Sequence, residues 1–183
     1  YALLEWMRKT GSKRLIYTSS REVYSVINPY GASKLASEII MQPYCAIYGF
    51  GIVTFRLSNI FGIGNKSGRF IETAIEKAKK NEPIEIYGGE RKMLNFVHVD
   101  DCVKELVEAM EYVQPNHHFI TDIASINSWY LADVARMIIV LTNSKSELVM
   151  SANRMGETMV YIPKDARYPI QTSLKEGIKR CLE

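Results

Sequence analysis

The chain has 183 residues, of which 47% are apolar and 23% charged, and it carries a formal net charge of +3. That length buries one sizeable core, or one domain with a small lobe, in a composition typical of globular proteins. No apolar run approaches the ~20 residues of a membrane span, and the densest basic run, Lys77-Ala78-Lys79-Lys80, shares its helix with Glu72 and Glu76, so it reads as a solvated face rather than a nucleic-acid surface.

In chain order, apolar periodicity predicts a helix over 2–9 closed by Gly11, a strand over 13–18, a helix over 29–48 and a strand over 51–56. A helix over 69–80 follows, then strands over 84–87 and 94–97, a helix over 99–112 and a strand over 118–122. A helix over 129–142, a strand over 146–150 and a helix over 173–182 complete the set, the last opened by a Ser173/Glu176 capping box. Strands alternating with helices argue for an α/β fold with a parallel sheet. Pro43 falls inside the long helix and is expected to kink or break it, since it removes a backbone donor. No repeat, low-complexity tract or linker marks independent domains.

Cys45, Cys102 and Cys181 are far apart and odd in number, which suits buried thiols in a reducing, cytoplasmic setting better than a metal site or disulfide framework. His117 and His118 are adjacent without clustered partners, so no metal is expected.

The densest chemical signal is Asn28-Pro29-Tyr30-Gly31-Ala32-Ser33-Lys34. Asn28 can cap a helix and Pro29 fits its first turn, which places Tyr30 at the helix start and Lys34 on the same face one turn on. A neighbouring cation and a helix N-terminus both favour a phenolate, the form that takes a proton from a hydroxyl. Upstream, Leu15-Ile16-Tyr17-Thr18-Ser19-Ser20 reads as an apolar strand ending in hydroxyls. In parallel α/β sheets ligands bind outside the carboxyl ends of strands. Ser20 is therefore placed to hydrogen-bond a reacting oxygen and share its proton with Tyr30.

Four segments resemble the NAD-dependent epimerase/dehydratase family, the extended short-chain dehydrogenases that act on nucleotide sugars. They are Tyr17 to Tyr24, Asn28 to Lys34, Phe55-Arg56-Leu57-Ser58-Asn59-Ile60-Phe61-Gly62, and Phe96-Val97-His98-Val99-Asp100-Asp101. The resemblance implies a partial Rossmann-like parallel sheet with helices on both faces and a small C-terminal substrate lobe. Residues 1–60 would form the second half of the Rossmann unit and 61–183 mainly the substrate lobe, with 92–128 partly returning to the sheet. It implies Ser20, Tyr30 and Lys34 as catalytic residues, with Glu22 as a proton-transfer acid of dehydratases and decarboxylases. Ser19, Tyr30 and Lys34 would meet NAD. Asn59 and Arg154, the latter in an R-x-G-E segment, would hold the diphosphate. The family's other phosphate arginine corresponds to Leu94, and Arg91, or Lys92, is the nearby substitute. Phe70 and Tyr87 are candidates for the nucleobase pocket. His98 falls at a structural strand-to-helix junction, and Asp100 and Asp101 read as helix N-terminal carboxylates.

The family's opening G-x-x-G-x-x-G loop, which lets the backbone approach a pyrophosphate, is missing from this sequence. Gly62 to Gly68 lacks the spacing of a nucleotide-triphosphate loop. The chain is accordingly expected to be a piece of a longer protein. The substrate loop between Ser20 and Tyr30 and the tail from Tyr161 to Pro169 also look shortened. Two readings follow: an NAD-dependent nucleotide-sugar 4-epimerase or 4,6-dehydratase, or a non-catalytic relative that cannot hold NAD alone. A homodimer or a complementing chain is the expected partner, because a parallel sheet rarely leaves a bare edge.

Overall fold

The computed structural model describes residues 1–65, 68–164 and 170–183. Lys66 and Ser67 of the loop from Gly62 to Gly68, and residues 165–169 of the compressed tail, lie outside the described residues. The chain opens with α1 (Ala2–Thr10), β1 (Arg14–Ser20), a 3-10 turn (Arg21–Tyr24), α2 (Pro29–Tyr48), β2 (Gly51–Leu57) and β3 (Asn59–Phe61). Next come α3 (Phe70–Lys79), β4 (Ile84–Tyr87), a second 3-10 turn (Gly89–Arg91), β5 (Met93–His98) and α4 (Val99–Tyr112). The remainder is β6 (His117–Ile123), β7 (Ser128–Tyr130), α5 (Leu131–Leu141), β8 (Leu148–Ser151) and α6 (Leu174–Arg180).

Strands β1, β2 and β6 form a parallel sheet in that order, with Ser20 level with Leu57 and Leu57 level with Ile123. Alternation along β2 sends its side chains to two cores. Ile52 packs with Leu4 and Met7 of α1 and with Met41, Tyr44 and Cys45 of α2. Val53 and Phe55 pack instead with Cys102 and Ala109 of α4. Helices therefore cover both faces, as expected of a parallel sheet. Strand β1 lies at the edge, and its Leu15, Ile16 and Tyr17 are only partly buried.

A third core joins α3, α5 and α6 around Ile71, Ile86, Phe96, Val134, Ile138 and Ile178. Here β4 pairs with β8 and β3 with β5, both in parallel.

Three expectations change. Residues 129 and 130, read as the start of a helix, belong instead with Ser128 to β7, antiparallel to β5, with Trp129 opposite Leu94. Aromatic side chains suit a pleated, half-buried surface, and pairing overrides the helical pattern. Helix α5 then begins at Leu131, whose N–H donates to the Lys92 carbonyl at 2.9 Å. The three-residue β3 was not foreseen, being too short to show a period. Pro43 does not break α2, which runs unbroken from Pro29 to Tyr48. Pro43 and Ile39, whose carbonyl loses its helical donor, are both exposed, so the unpaired carbonyl lies on the solvent side of the helix.

Candidate functional site

The carboxyl ends of β1 and β2 open onto a cavity of about 1120 Å³. Ser20, Glu22, Tyr30, Lys34, Asn59 and Arg154 all line it, residues that sequence spreads over more than half the chain.

The local chemistry of the strand-to-helix segment sets their positions. The Asn28 side chain accepts the Gly31 N–H at 2.8 Å, capping α2, and Pro29 occupies the first turn. Tyr30, 51% exposed, stands at the helix start on the cavity wall. One turn on, the Lys34 ammonium lies 5.7 Å from the Tyr30 ring centre and donates to the Thr18 carbonyl at 2.8 Å. It thus bridges the end of β1 and the start of α2. The 3-10 turn and α2 touch because residue 31 has no side chain: a Cβ there would sit 2.6 Å from the Glu22 carbonyl oxygen.

Ser20 is buried, and its Oγ accepts the Glu22 N–H at 3.3 Å. Both Glu22 carboxylate oxygens are engaged. Oε1 pairs with Arg21 at 3.1 Å, while Oε2 accepts from Asn28 Nδ2 at 3.2 Å and from Thr158 at 3.5 Å.

Two residues of the expected set differ from the others in their contacts. The Ser19 hydroxyl, expected to meet a cofactor, is buried and donates to Glu38 Oε1 at 2.6 Å. Alternation along β1 turns its hydroxyl toward α2, although the residue still lines the cavity beside Ser20. Arg91 ends the second 3-10 turn exposed and is not among the residues lining the cavity. The next residue, Lys92, takes that place: it is 2% exposed and its Nζ donates to Asn153 at 2.8 Å and Glu157 at 3.2 Å. Adjacent side chains leave a turn in different directions, so a one-position shift exchanges solvent for cavity.

On the far wall, the Arg154 guanidinium stacks 3.7 Å from the Tyr87 ring centre and lies 3.8 Å from Glu157. Its pKa is raised above the ordinary arginine value, chiefly through its hydrogen bond with Tyr87. Asn59 Nδ2 donates to the Asn95 carbonyl at 2.7 Å. Phe70 and Leu94 supply apolar wall. His98 caps α4, its Nδ1 accepting the Asp100 N–H at 3.3 Å, and does not line the cavity.

Sequence reasoning missed the layer behind this wall. Glu38, 2% exposed, takes Arg56 on both oxygens as well as Ser19. Arg56 also lies 4.8 Å from the centre of the Tyr24 ring, whose hydroxyl donates to Asp122 at 2.7 Å. Burial, aided by that bond, pushes the Tyr24 pKa up to about 12. The signal for Glu38 was available: it stands four and eight residues after Lys34 and Tyr30, on one helix face.

Among the described residues, six cationic side chains line the cavity (Arg21, Lys34, Arg69, Lys77, Lys92 and Arg154) against the four carboxylates Glu22, Glu72, Glu85 and Glu157. The arrangement suits proton exchange at Tyr30 beside an anion-binding wall. Among the described residues no cluster of His, Cys, Asp and Glu could hold a metal, and no helix is long and apolar enough to cross a membrane.

The model of the NAD dependent epimerase/dehydratase family matches residues 1–121. Human dTDP-D-glucose 4,6-dehydratase is 26% identical over 200 residues, covering 93% of this chain and 56% of that protein. An uncharacterized UDP-glucose epimerase of Bacillus subtilis, YtcB, is 24% identical over 198 residues, covering 96% and 61%. The chain therefore spans a little over half the length of these relatives. Among solved structures, MoeE5 in complex with UDP-glucose and NAD superposes with a TM-score of 0.90 at 23% identity, over 98% of this chain and 67% of that one. The UDP-glucose 4-epimerase of Thermotoga maritima with UDP-glucose gives 0.88 at 22% identity, over 98% and 65%.

Proposed function

Because the chain belongs to the NAD dependent epimerase/dehydratase family, we propose that its cavity handles a nucleotide sugar, with Tyr30, Ser20 and Lys34 at the reacting end. The observation that carries this reading is the meeting of Ser20, Tyr30 and Lys34 with Arg154 in one cavity. A proton-exchanging tyrosine and an anion-binding arginine then face the two halves of such a substrate.

In this reading the sugar lies at the mouth of β1. Tyr30 exchanges a proton with a ring hydroxyl, and the Ser20 hydroxyl orients that oxygen. Lys34 holds positive charge beside the Tyr30 ring. Arg154 and Lys92 take the diphosphate, with Asn59 beside them, and Tyr87 and Phe70 flank the base. Dehydration would draw on a carboxyl such as Glu22, whose two oxygens here hold Arg21, Asn28 and Thr158. Epimerisation, which asks nothing of Glu22, is the better fit.

The donor set at the reacting end fits NAD. Lys34 has amine protons beyond the one given to Thr18 and can meet ribose hydroxyls. NAD would supply hydride uptake and return at the sugar carbon. In a second reading this chain binds the sugar and holds NAD only with a complementing chain or a second copy. Exposed Leu3 and Trp6 of α1 and Ile39 and Ile47 of α2 give such a partner an apolar face.

Calorimetric titration of the folded chain with NAD, followed by turnover assays on UDP- and dTDP-hexoses, tests the proposal. Saturable NAD binding with turnover lowered about 10²- to 10⁴-fold in Tyr30→Phe supports catalysis. Sugar binding without NAD binding supports the second reading, and binding of neither rejects both.

A further inference from the structure

Asn28, half-buried on the cavity wall, spends one side-chain amide on three separate segments. Its Oδ1 accepts the Gly31 N–H at 2.8 Å and so caps α2. Its Nδ2 donates to the Gly156 carbonyl at 2.9 Å and to Glu22 Oε2 at 3.2 Å. A helix cap needs only the acceptor. The Nδ2 donors therefore do something else, and one of them reaches a residue 128 positions along the chain.

Gly156 stands two residues after Arg154, in a turn closed by the Glu157 N–H on the Arg154 carbonyl at 3.2 Å. Its φ of 75° is one that side chains rarely adopt, and its carbonyl leaves the turn toward Asn28. The Lys92 ammonium holds Asn153 and Glu157, on either side of Gly156, to the far wall at 2.8 and 3.2 Å. Among the described residues, two other hydrogen bonds join this segment to the chain between Ser20 and Gly31. Ser25 with Thr158 at 3.4 Å and Thr158 with Glu22 at 3.5 Å both sit at the outer limit of such bonds, whereas Asn28 with Gly156 has full-strength geometry.

We propose that Asn28 is a positioning residue that couples the two ends of the cavity, tying the turn that carries Arg154 to the first turn of the helix that carries Tyr30. This rests on the nucleotide-sugar reading above. Helix α2 packs in the core around Ile52, while the chain after β8 joins the core around Ile86 through Tyr161. Each end of the substrate is thus held by a different core, and a misplacement of about 1 Å between a held substrate and its proton-exchanging group costs about 10²-fold in rate. The Asn28 latch fixes that distance. Nucleotide seated at Arg154 then steadies the start of α2, and a steadied α2 improves nucleotide binding by the same factor, since such coupling is reciprocal.

The test uses UDP, which in this reading touches the Arg154 wall and not Tyr30. In the unaltered full chain, saturating UDP is expected to slow amide exchange over residues 31–34 by at least about 3-fold. Asn28→Ser keeps a good cap but loses the amide donors, so its melting temperature should stay within about 2 °C while UDP affinity in calorimetric titration falls about 3- to 10-fold. The protection of residues 31–34 by UDP should vanish with it. Asn28→Asp keeps the capping oxygen and turns a second oxygen on the Gly156 carbonyl and Glu22, so its loss of affinity should be at least as large. A residue that only capped α2 would leave UDP binding untouched in both variants, and that result overturns the proposal. So does UDP binding to the unaltered chain without protection at residues 31–34, a measurement that decides the matter even if neither variant folds. Either result leaves the nucleotide-sugar reading intact. Failure of the unaltered chain to bind UDP or UDP-glucose rejects that reading, and this proposal with it.

Discussion

Arg56 on β2 clamps Glu38 on α2 with two bonds, Nε to Oε1 at 3.1 Å and Nη2 to Oε2 at 2.6 Å, while Glu38 is only 2% exposed. With Lys34 on the Thr18 carbonyl and Ser19 on Glu38, successive turns of α2 are pinned to the end of β1. The helix that presents Tyr30 is thereby held in register with the strand that presents Ser20.

Removing one partner of this pair is expected to be costly, because the other charge stays buried. Arg56→Ala should lower unfolding stability by about 3–5 kcal/mol, and the paired change Glu38→Leu with Arg56→Met should recover much of it. Urea denaturation of the two variants and the unaltered chain measures this. A loss below about 1 kcal/mol in Arg56→Ala would show that the pair behaves as a solvated one.

Gly31 is the contact point between α2 and the 3-10 turn, with a Cβ there falling 2.6 Å from the Glu22 carbonyl oxygen. Gly31→Ala must push the turn away, at a cost of about 1–3 kcal/mol, although alanine is the better helix former. The expected result is a lowered melting temperature with faster amide exchange over residues 20–24. An unchanged or raised melting temperature would show that the turn is free to move.

The alkaline limb of stability follows from groups whose protonated forms are favoured by the fold. Burial raises the Cys102 thiol from an ordinary 9.0 to about 11 and the Tyr24 phenol from 10.0 to about 12. Both lose a proton more readily unfolded, so their contribution is complete below pH 9 and is lost as pH rises to about 12. The urea midpoint should fall across that window. Tyr24→Phe, less stable at neutral pH through loss of its bond to Asp122, should show a shallower fall above pH 10. Parallel curves for the two proteins would contradict the assignment.

The strands and helices that carry long apolar periods were legible to within about two residues at their ends, and α2 begins at Pro29 and ends at Tyr48 as its cap and pattern require. Residues 129 and 130 were misread because their partner, β5, lies more than thirty residues away and pairing leaves no local mark. Ser20, Tyr30, Lys34, Asn59 and Arg154 were legible as a set through motif resemblance. The difference between Arg91 and Lys92 was not, since the second 3-10 turn decides which of two adjacent cations enters the cavity.

By itself the sequence determined the α/β order, the helix caps and the chemical types available at the site, because propensity, periodicity and capping act over a few residues. Only the tertiary structure decided which of those residues share a cavity and which are spent on one another. Ser19 bonds Glu38, Arg56 joins two elements, and one buried nitrogen of Arg21 has no partner among the described residues. Such outcomes depend on contacts between segments distant along the chain and on which charges water can still reach, and no local pattern records either.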